Sequence, residues 1–215
     1  MRNTEIRPNA AMITKEQIEQ FLMDQAELIK RCKSTYSQPG SIKHLLFGSE
    51  PSEQSLLIKM GKVGERMIQK IIVETEGLEL LKCGVQCIDP VTGKNKDLDL
   101  IWADHDRKTI YYREAKGNIQ LDSEKITATI DKILEILSMY IVPKYPDYTI
   151  DIGVFNWSVY NREPLTKGLI QIKKCVTKGI KVDHPKELFD ILKFQWTEED
   201  YLSFFRKIGK FFRNN

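Results

Sequence analysis

Between Asp97 and Gly117 the chain carries two runs of apolar, aromatic and β-branched residues interrupted by charges at regular spacing, and few folds accommodate such a pattern. The first run is Asp97-Leu98-Asp99-Leu100-Ile101-Trp102, and the second is Thr109-Ile110-Tyr111-Tyr112-Arg113-Glu114-Ala115-Lys116-Gly117. Asp104-His105-Asp106-Arg107-Lys108 separates them, a polar break rich in turn-forming residues, so the pair reads as a β-hairpin. Side chains two apart on a strand share a face, which aligns Tyr112, Glu114 and Lys116 on one strand and Asp97 and Asp99 on the other. Asp99 comes to lie beside Glu114 only if the connection holds an even number of residues, and an even loop is therefore predicted.

Two carboxylates and an ammonium on one patch are poorly suited to a core, because a buried charge deprived of its partner costs about 3 to 5 kcal/mol. Hard oxygen ligands at this spacing suit Mg²⁺, which takes one or two carboxylates and completes its shell with waters and phosphate oxygens. A lysine beside such an ion can orient or deprotonate a nucleophilic water. An E-x-K tripeptide alone says little, since charges alternate on many solvated strands; the aspartate at hairpin distance gives it weight.

Asp99-Leu100-Ile101 on one strand and Glu114-Ala115-Lys116 on the next resemble the core of the PD-(D/E)XK nuclease superfamily, and the size and surroundings are most similar to a type II restriction endonuclease. The resemblance implies that Asp99 and Glu114 hold Mg²⁺, with room for two ions and for Mn²⁺ as a substitute, and that Lys116 contacts the attacking water. Leu98 stands where that family has proline, which leaves Asp97 as a rival to Asp99 for the metal. Asp99 is favoured because the apolar Leu100-Ile101 run follows it directly. Gly61-Lys62-Val63-Gly64-Glu65-Arg66 resembles the helix that precedes the catalytic hairpin in many of these nucleases, so Glu65 is either a third metal carboxylate or a solvated partner of Arg66.

The chain of 215 residues is read as a single nuclease domain: a flexible arm over 1–12, a helical N-terminal region over 14–50, a catalytic core over 55–182 and helices over 183–215. No apolar run reaches the ~20 residues that span a bilayer, and the N-terminus lacks an apolar signal region. Four scattered cysteines are better read as free thiols than as half of a metal site at Cys83 and Cys87, so the expected compartment is cytoplasmic, with no membrane partner, and the resemblance to restriction endonucleases implies a prokaryotic one. Net charge is only +3, but it is segregated: Lys167, Lys173, Lys174, Lys178 and Lys181 crowd a stretch without acids, and Arg206, Lys207, Lys210 and Arg213 follow the last acid. Such segregation suits a phosphate-binding surface.

Along the chain, Thr14 and Gln17 form a capping box for a first helix, and the loop that follows it holds His44. A second helix runs from Ser55 to Val73 with a hinge at Gly61. Leu78 to Asp89 reads as the first strand, and the Lys94-Asn95-Lys96 loop is either solvated or in contact with a backbone phosphate. Beyond Lys116, a helix capped by Asp122 or Ser123 presents Ile126, Ile130, Ile133, Leu134, Leu137 and Tyr140 at helical spacing. Asn118, Gln120 and Lys125 are candidates for contact with the scissile phosphate or neighbouring bases. Tyr148 to Tyr160 is a strong central strand, and Asn161 and Arg162 at its end are candidates to read base edges. Leu169 to Ile172 and Ile180 to Val182 read as further strands. Their lysines, with Lys167, Lys173 and Lys174, are expected along the DNA backbone. Two helices close the chain, the second amphipathic and basic, for packing on the core or on a second subunit.

The expected fold is thus α/β, a restriction-endonuclease-like central mixed β-sheet flanked by helices with helical additions at both ends. The expected function is Mg²⁺-dependent cleavage of double-stranded DNA at a short palindromic sequence by a homodimer. A structure-selective nuclease of the same superfamily, such as a junction resolvase or repair endonuclease, is the alternative enzyme, and a non-catalytic DNA-binding protein the alternative from another class.

Overall fold

A computed structural model describes residues 13–31, 45, 53–117, 119, 125–161 and 169–213. The arm over 1–12, the loop with His44, the proposed cap at Asp122 or Ser123, and Asn118, Gln120, Arg162 and Lys167 lie outside the described residues. Helix α1 (Lys15–Arg31) begins at the expected capping box, with the Gln17 amide donating to Thr14 Oγ1 and the Thr14 amide to Gln17 Oε1. Helix α2 (Glu53–Glu74) follows, then β1 (Leu78–Leu80), β2 (Gly84–Asp89), β3 (Lys94–Leu98), β4 (Leu100–Asp104) and β5 (Thr109–Lys116). After these come α3 (Ile126–Ile136, prolonged by a π-helical turn to Ile141), β6 (Thr149–Asn156), α4 (Leu169–Val176), β7 (Lys181–Asp183), α5 (Pro185–Ile191) and α6 (Glu198–Arg213).

The main sheet has five strands in the order β1-β4-β5-β6-β7; the β1–β4 and β4–β5 pairs are antiparallel, β5–β6 and β6–β7 parallel. This is a mixed α/β sheet flanked by helices. Because side chains alternate across a sheet, its two faces gather separate cores. On one face Leu100, Trp102, Tyr111 and Phe155 meet Val63, Met67 and Ile71 of α2 and residues of α1, α5 and α6. On the other, Ile101, Tyr112, Val154 and Val182 meet Ile126, Ile130 and Ile133 of α3 and Ile172 and Cys175 of α4. The β2–β3 ribbon forms its own two-stranded sheet and adds Ile88 and Leu98 to that second core.

Several sequence expectations are corrected. The strand expected over Leu78 to Asp89 is split into β1 and β2, because Gly84 adopts φ +80 and turns the chain out of the main sheet. Gly61 does not hinge α2: the helix is continuous from Glu53 to Glu74, locked by the buried stripe of Val63, Met67, Ile68, Ile71 and Ile72, and such packing outweighs the ~1 kcal/mol cost of an internal glycine. Leu169 to Ile172 is helix, not strand. Ile172 and Cys175 are buried three apart while Lys173 and Lys174 are exposed, and the helix ends where Gly179 takes φ +73 and its amide bonds back to Val176. The strand expected over Tyr148 to Tyr160 stops at Asn156.

The C-terminal helix packs on the core. Tyr201, Phe204 and Ile208 are buried, Lys15 of α1 pairs with Asp200 at 3.0 Å, and the Tyr201 hydroxyl donates to the Trp157 carbonyl at 2.6 Å. No helix among the described residues is long and apolar enough to cross a membrane.

Candidate active site

Four residues, 105 to 108, connect the paired Asp104 and Thr109, so the hairpin loop is even as the charge pattern requires. Leu100 pairs with Arg113, and the same register carried one residue back sets Asp99 opposite Glu114. Asp99 lies at the break between β3 and β4, where its side chain turns back over the ladder and Oδ2 accepts the Ala115 amide at 2.9 Å. Its carbonyl accepts from Gln69 of α2 at 3.1 Å. The site therefore forms at the end of the sheet where β4 begins and β5 and β6 finish.

Both carboxylates are almost out of solvent, Asp99 at 7% exposure and Glu114 at 4%. Burial, then the charge of Glu114 beside it, pushes the Asp99 carboxyl up to about 7; Lys132 opposes the rise and Glu65 adds to it. Lys116 Nζ stands 3.3 Å from Glu114 Oε1. On the other oxygen, Oε2, the Lys132 ammonium sits at 2.6 Å and the Tyr112 hydroxyl donates at 3.0 Å. Burial, then the Glu114 charge, holds the Tyr112 hydroxyl well above the usual tyrosine range, so it remains a donor.

From α2, Glu65 contributes its charge to the same patch but leans on Lys62, whose Nζ is 2.8 Å from Oε2. Arg66 turns away to Gln25 of α1, so Glu65 is not its partner. Burial opposes protonation of Lys62, yet the Glu65 hydrogen bond and the charges of Glu65, Asp99 and Asp97 leave its ammonium above the usual range. Asp97, the rival ligand, lies half exposed on β3, paired with Val85 and 3.8 Å from the same Lys62. The close approach of α2 depends on Gly64, where a Cβ would meet the Trp157 ring at 3.1 Å. Trp157 is itself held against the end of β5 by the Lys116 carbonyl, which accepts its amide.

The structure thus brings together Asp99, Glu114, Lys116 and Glu65, with Asp97 at the rim. Lys125 is exposed just before α3, and Lys173 and Lys174 are exposed on α4, which covers the same face of the sheet as α3. Asn161 follows the end of β6, half-buried. Lys94 and Lys96 do not reach toward the site, because Glu135 of α3 engages both. Two site residues escaped the sequence reading, Lys132 and Asn156, and a third, Tyr112, was placed on the Glu114 face without a role. Lys132 sits between Thr129 and Ile136, which the fold buries. Asn156, fully buried and paired with Lys116 across the parallel ladder, accepts the Ile119 amide through Oδ1 and leaves Nδ2 without a partner.

Among the described residues no three His, Cys, Asp or Glu groups cluster tightly enough to cage a metal by themselves. Mg²⁺ asks for less: one or two carboxylates suffice, with water and phosphate oxygens for the rest. Asp99 and Glu114 supply hard oxygens of that kind, and burial together with the Glu114 charge, only partly offset by Lys132, raises the Asp99 carboxyl. The donor set fits the ion. No known family model, curated protein or solved structure matches the chain.

Proposed function

We propose that this chain is a Mg²⁺-dependent endodeoxyribonuclease of the PD-(D/E)XK superfamily that cuts double-stranded DNA at a short, palindromic sequence, as type II restriction endonucleases do. One observation carries the reading: Asp99 and Glu114 face each other across a hairpin, buried and mutually repelling, with Lys116 two residues beyond Glu114 on its face. The element order adds support, since helix α2, strand β1, hairpin β4–β5, helix α3 and parallel strand β6 follow the order of that superfamily's core.

In this reading Asp99 and Glu114 hold the ion, and Glu65, paired with Lys62, adds negative charge nearby without completing a three-carboxylate cage. When bound, Mg²⁺ neutralises the charge that develops on the scissile phosphate. Lys116 Nζ orients the attacking water and stabilises it as it gives up a proton to bulk solvent. The water oxygen bonds to phosphorus as the bond to the 3′ oxygen breaks, and that oxygen takes a proton from solvent, giving 5′-phosphate and 3′-hydroxyl ends. Exposed Lys125, Lys173 and Lys174 supply cations for the DNA backbone, a salt-sensitive contribution. Cutting both strands with a single site per chain calls for a homodimer whose two-fold axis matches the palindrome.

Plasmid DNA incubated with the purified protein and Mg²⁺ tests this directly. Discrete fragments whose sequenced ends share one short motif are expected. Junction-dependent nicking would point instead to a structure-selective nuclease, and a gel shift without cutting to a binding protein.

A further inference from the structure

Three donors meet the Glu114 carboxylate. Its Oε2 is held by the Lys132 ammonium at 2.6 Å and by the Tyr112 hydroxyl at 3.0 Å, and its Oε1 faces Lys116 at 3.3 Å. A carboxylate has about four lone-pair directions, and an ammonium and a divalent cation compete for the same ones. Lys132 is the nearest competitor, and it comes from a different element than the motif lysine. Its position is well determined. Thr129 and Ile136 on either side are buried, and Glu135 ties α3 to the β2–β3 ribbon through Lys94 and Lys96. The backbone is thereby anchored, while the ammonium rides on a flexible four-carbon stem. Its side chain retains 21% exposure, which leaves a way out toward solvent.

We propose that Lys132 is a resident counter-ion for the metal site: it occupies Glu114 while no divalent cation is bound, holds the acidic cluster together, and swings off the carboxylate when the cation arrives. The proposal rests on the reading of Asp99 and Glu114 as ligands, and it makes Lys132 a positioning residue. Without the lysine, Asp99 and Glu114 repel with less compensation, so the metal-free protein loses stability; with it, every binding event must first displace an ion pair. The cluster thus stays assembled in the absence of metal at the expense of affinity.

Two measurements test this. Mg²⁺ titrated calorimetrically into the full-length protein should bind Lys132→Met about tenfold more tightly than wild type, while Lys132→Arg, which keeps a cation on Glu114, should gain nothing. In wild-type protein, amine-reactive footprinting read by mass spectrometry should show Lys132 labelling several-fold faster with Mg²⁺ than without, and Asp99→Asn should abolish that increase. The footprint carries the test alone if Lys132→Met does not fold. Unchanged Lys132 labelling on adding Mg²⁺, or unchanged or weaker Mg²⁺ binding by a folded Lys132→Met, would overturn the counter-ion role and leave the metal site standing. Wild-type protein that binds no Mg²⁺ would overturn both.

Discussion

Arg113 and Glu114 are neighbours in sequence on β5 and opposites in environment. Arg113 faces the core shared with α2 and is fully buried, its Nε donating to Asp183 at 2.6 Å, its Nη2 to Asp151 at 2.9 Å, and its Nη1 to the carbonyls of Tyr112 and Asp151. Trp102 and Tyr111, stacked at 4.9 Å, flank the guanidinium, and Lys181 closes the outer side of Asp151 at 2.6 Å. Charge there is matched and sealed. Glu114, one residue on and pointing the opposite way, meets Lys132 and Lys116 but also lies beside Asp99, whose carboxyl is pushed up to about 7 by burial and then by the Glu114 charge. One strand therefore carries a finished ion-pair network on one face and an unfinished one on the other. Unfinished charge at a sheet end is what a cation site looks like before the cation.

The contrast yields predictions of descending size. On the unfinished face, Lys116→Ala or Asp99→Asn should reduce DNA cutting by about 10³-fold with the fold intact, measured by plasmid digestion rates alongside circular dichroism. On the finished face, Arg113→Met leaves Asp151 and Asp183 without their shared cation and should cost about 3 to 5 kcal/mol in urea unfolding. Asp99→Asn should instead stabilise the metal-free protein at alkaline pH. Its carboxyl lies near 7 when folded against 3.8 ordinarily, so folding takes up a proton between those values. Its stabilising contribution is full below pH 4 and is lost as pH rises through 7. Melting curves at pH 8 should show Asp99→Asn about 5 °C above wild type, the gap closing near pH 4. Gly153→Ala changes no charge but should shift stability about as much, because a Cβ would sit 2.9 Å from Arg113 Nε and from the Lys181 carbonyl; a loss of about 1 to 3 kcal/mol is expected.

What could be read in the chain was what depends on alternation. The β4–β5 hairpin, its even loop and the facing of Asp99 and Glu114 all follow from a period of two and a polar break. Capping at Thr14 and the amphipathic closing helix were equally visible, since Ser/Thr caps and apolar stripes are local signals. Short apolar runs were not. Leu169-Ile170-Gln171-Ile172 alternates like a strand, and only the burial of Ile172 with Cys175 reveals the helical period. Leu78 to Asp89 concealed a bend at Gly84 that sends one half to a separate ribbon. The ion pair between Lys132 and Glu114 spans an α3–β5 contact that no local pattern encodes, and the Arg113, Asp151 and Asp183 network joins three strands in the same way.

The central claim is that the facing carboxylates of Asp99 and Glu114 hold a divalent cation. Anomalous diffraction from crystals grown with Mn²⁺ tests it most directly. The account predicts a peak within coordination distance of both carboxylates, on the Glu114 face of β5, that vanishes in Asp99→Asn. An Asp99–Glu114 site that stays empty at saturating Mn²⁺ would contradict it.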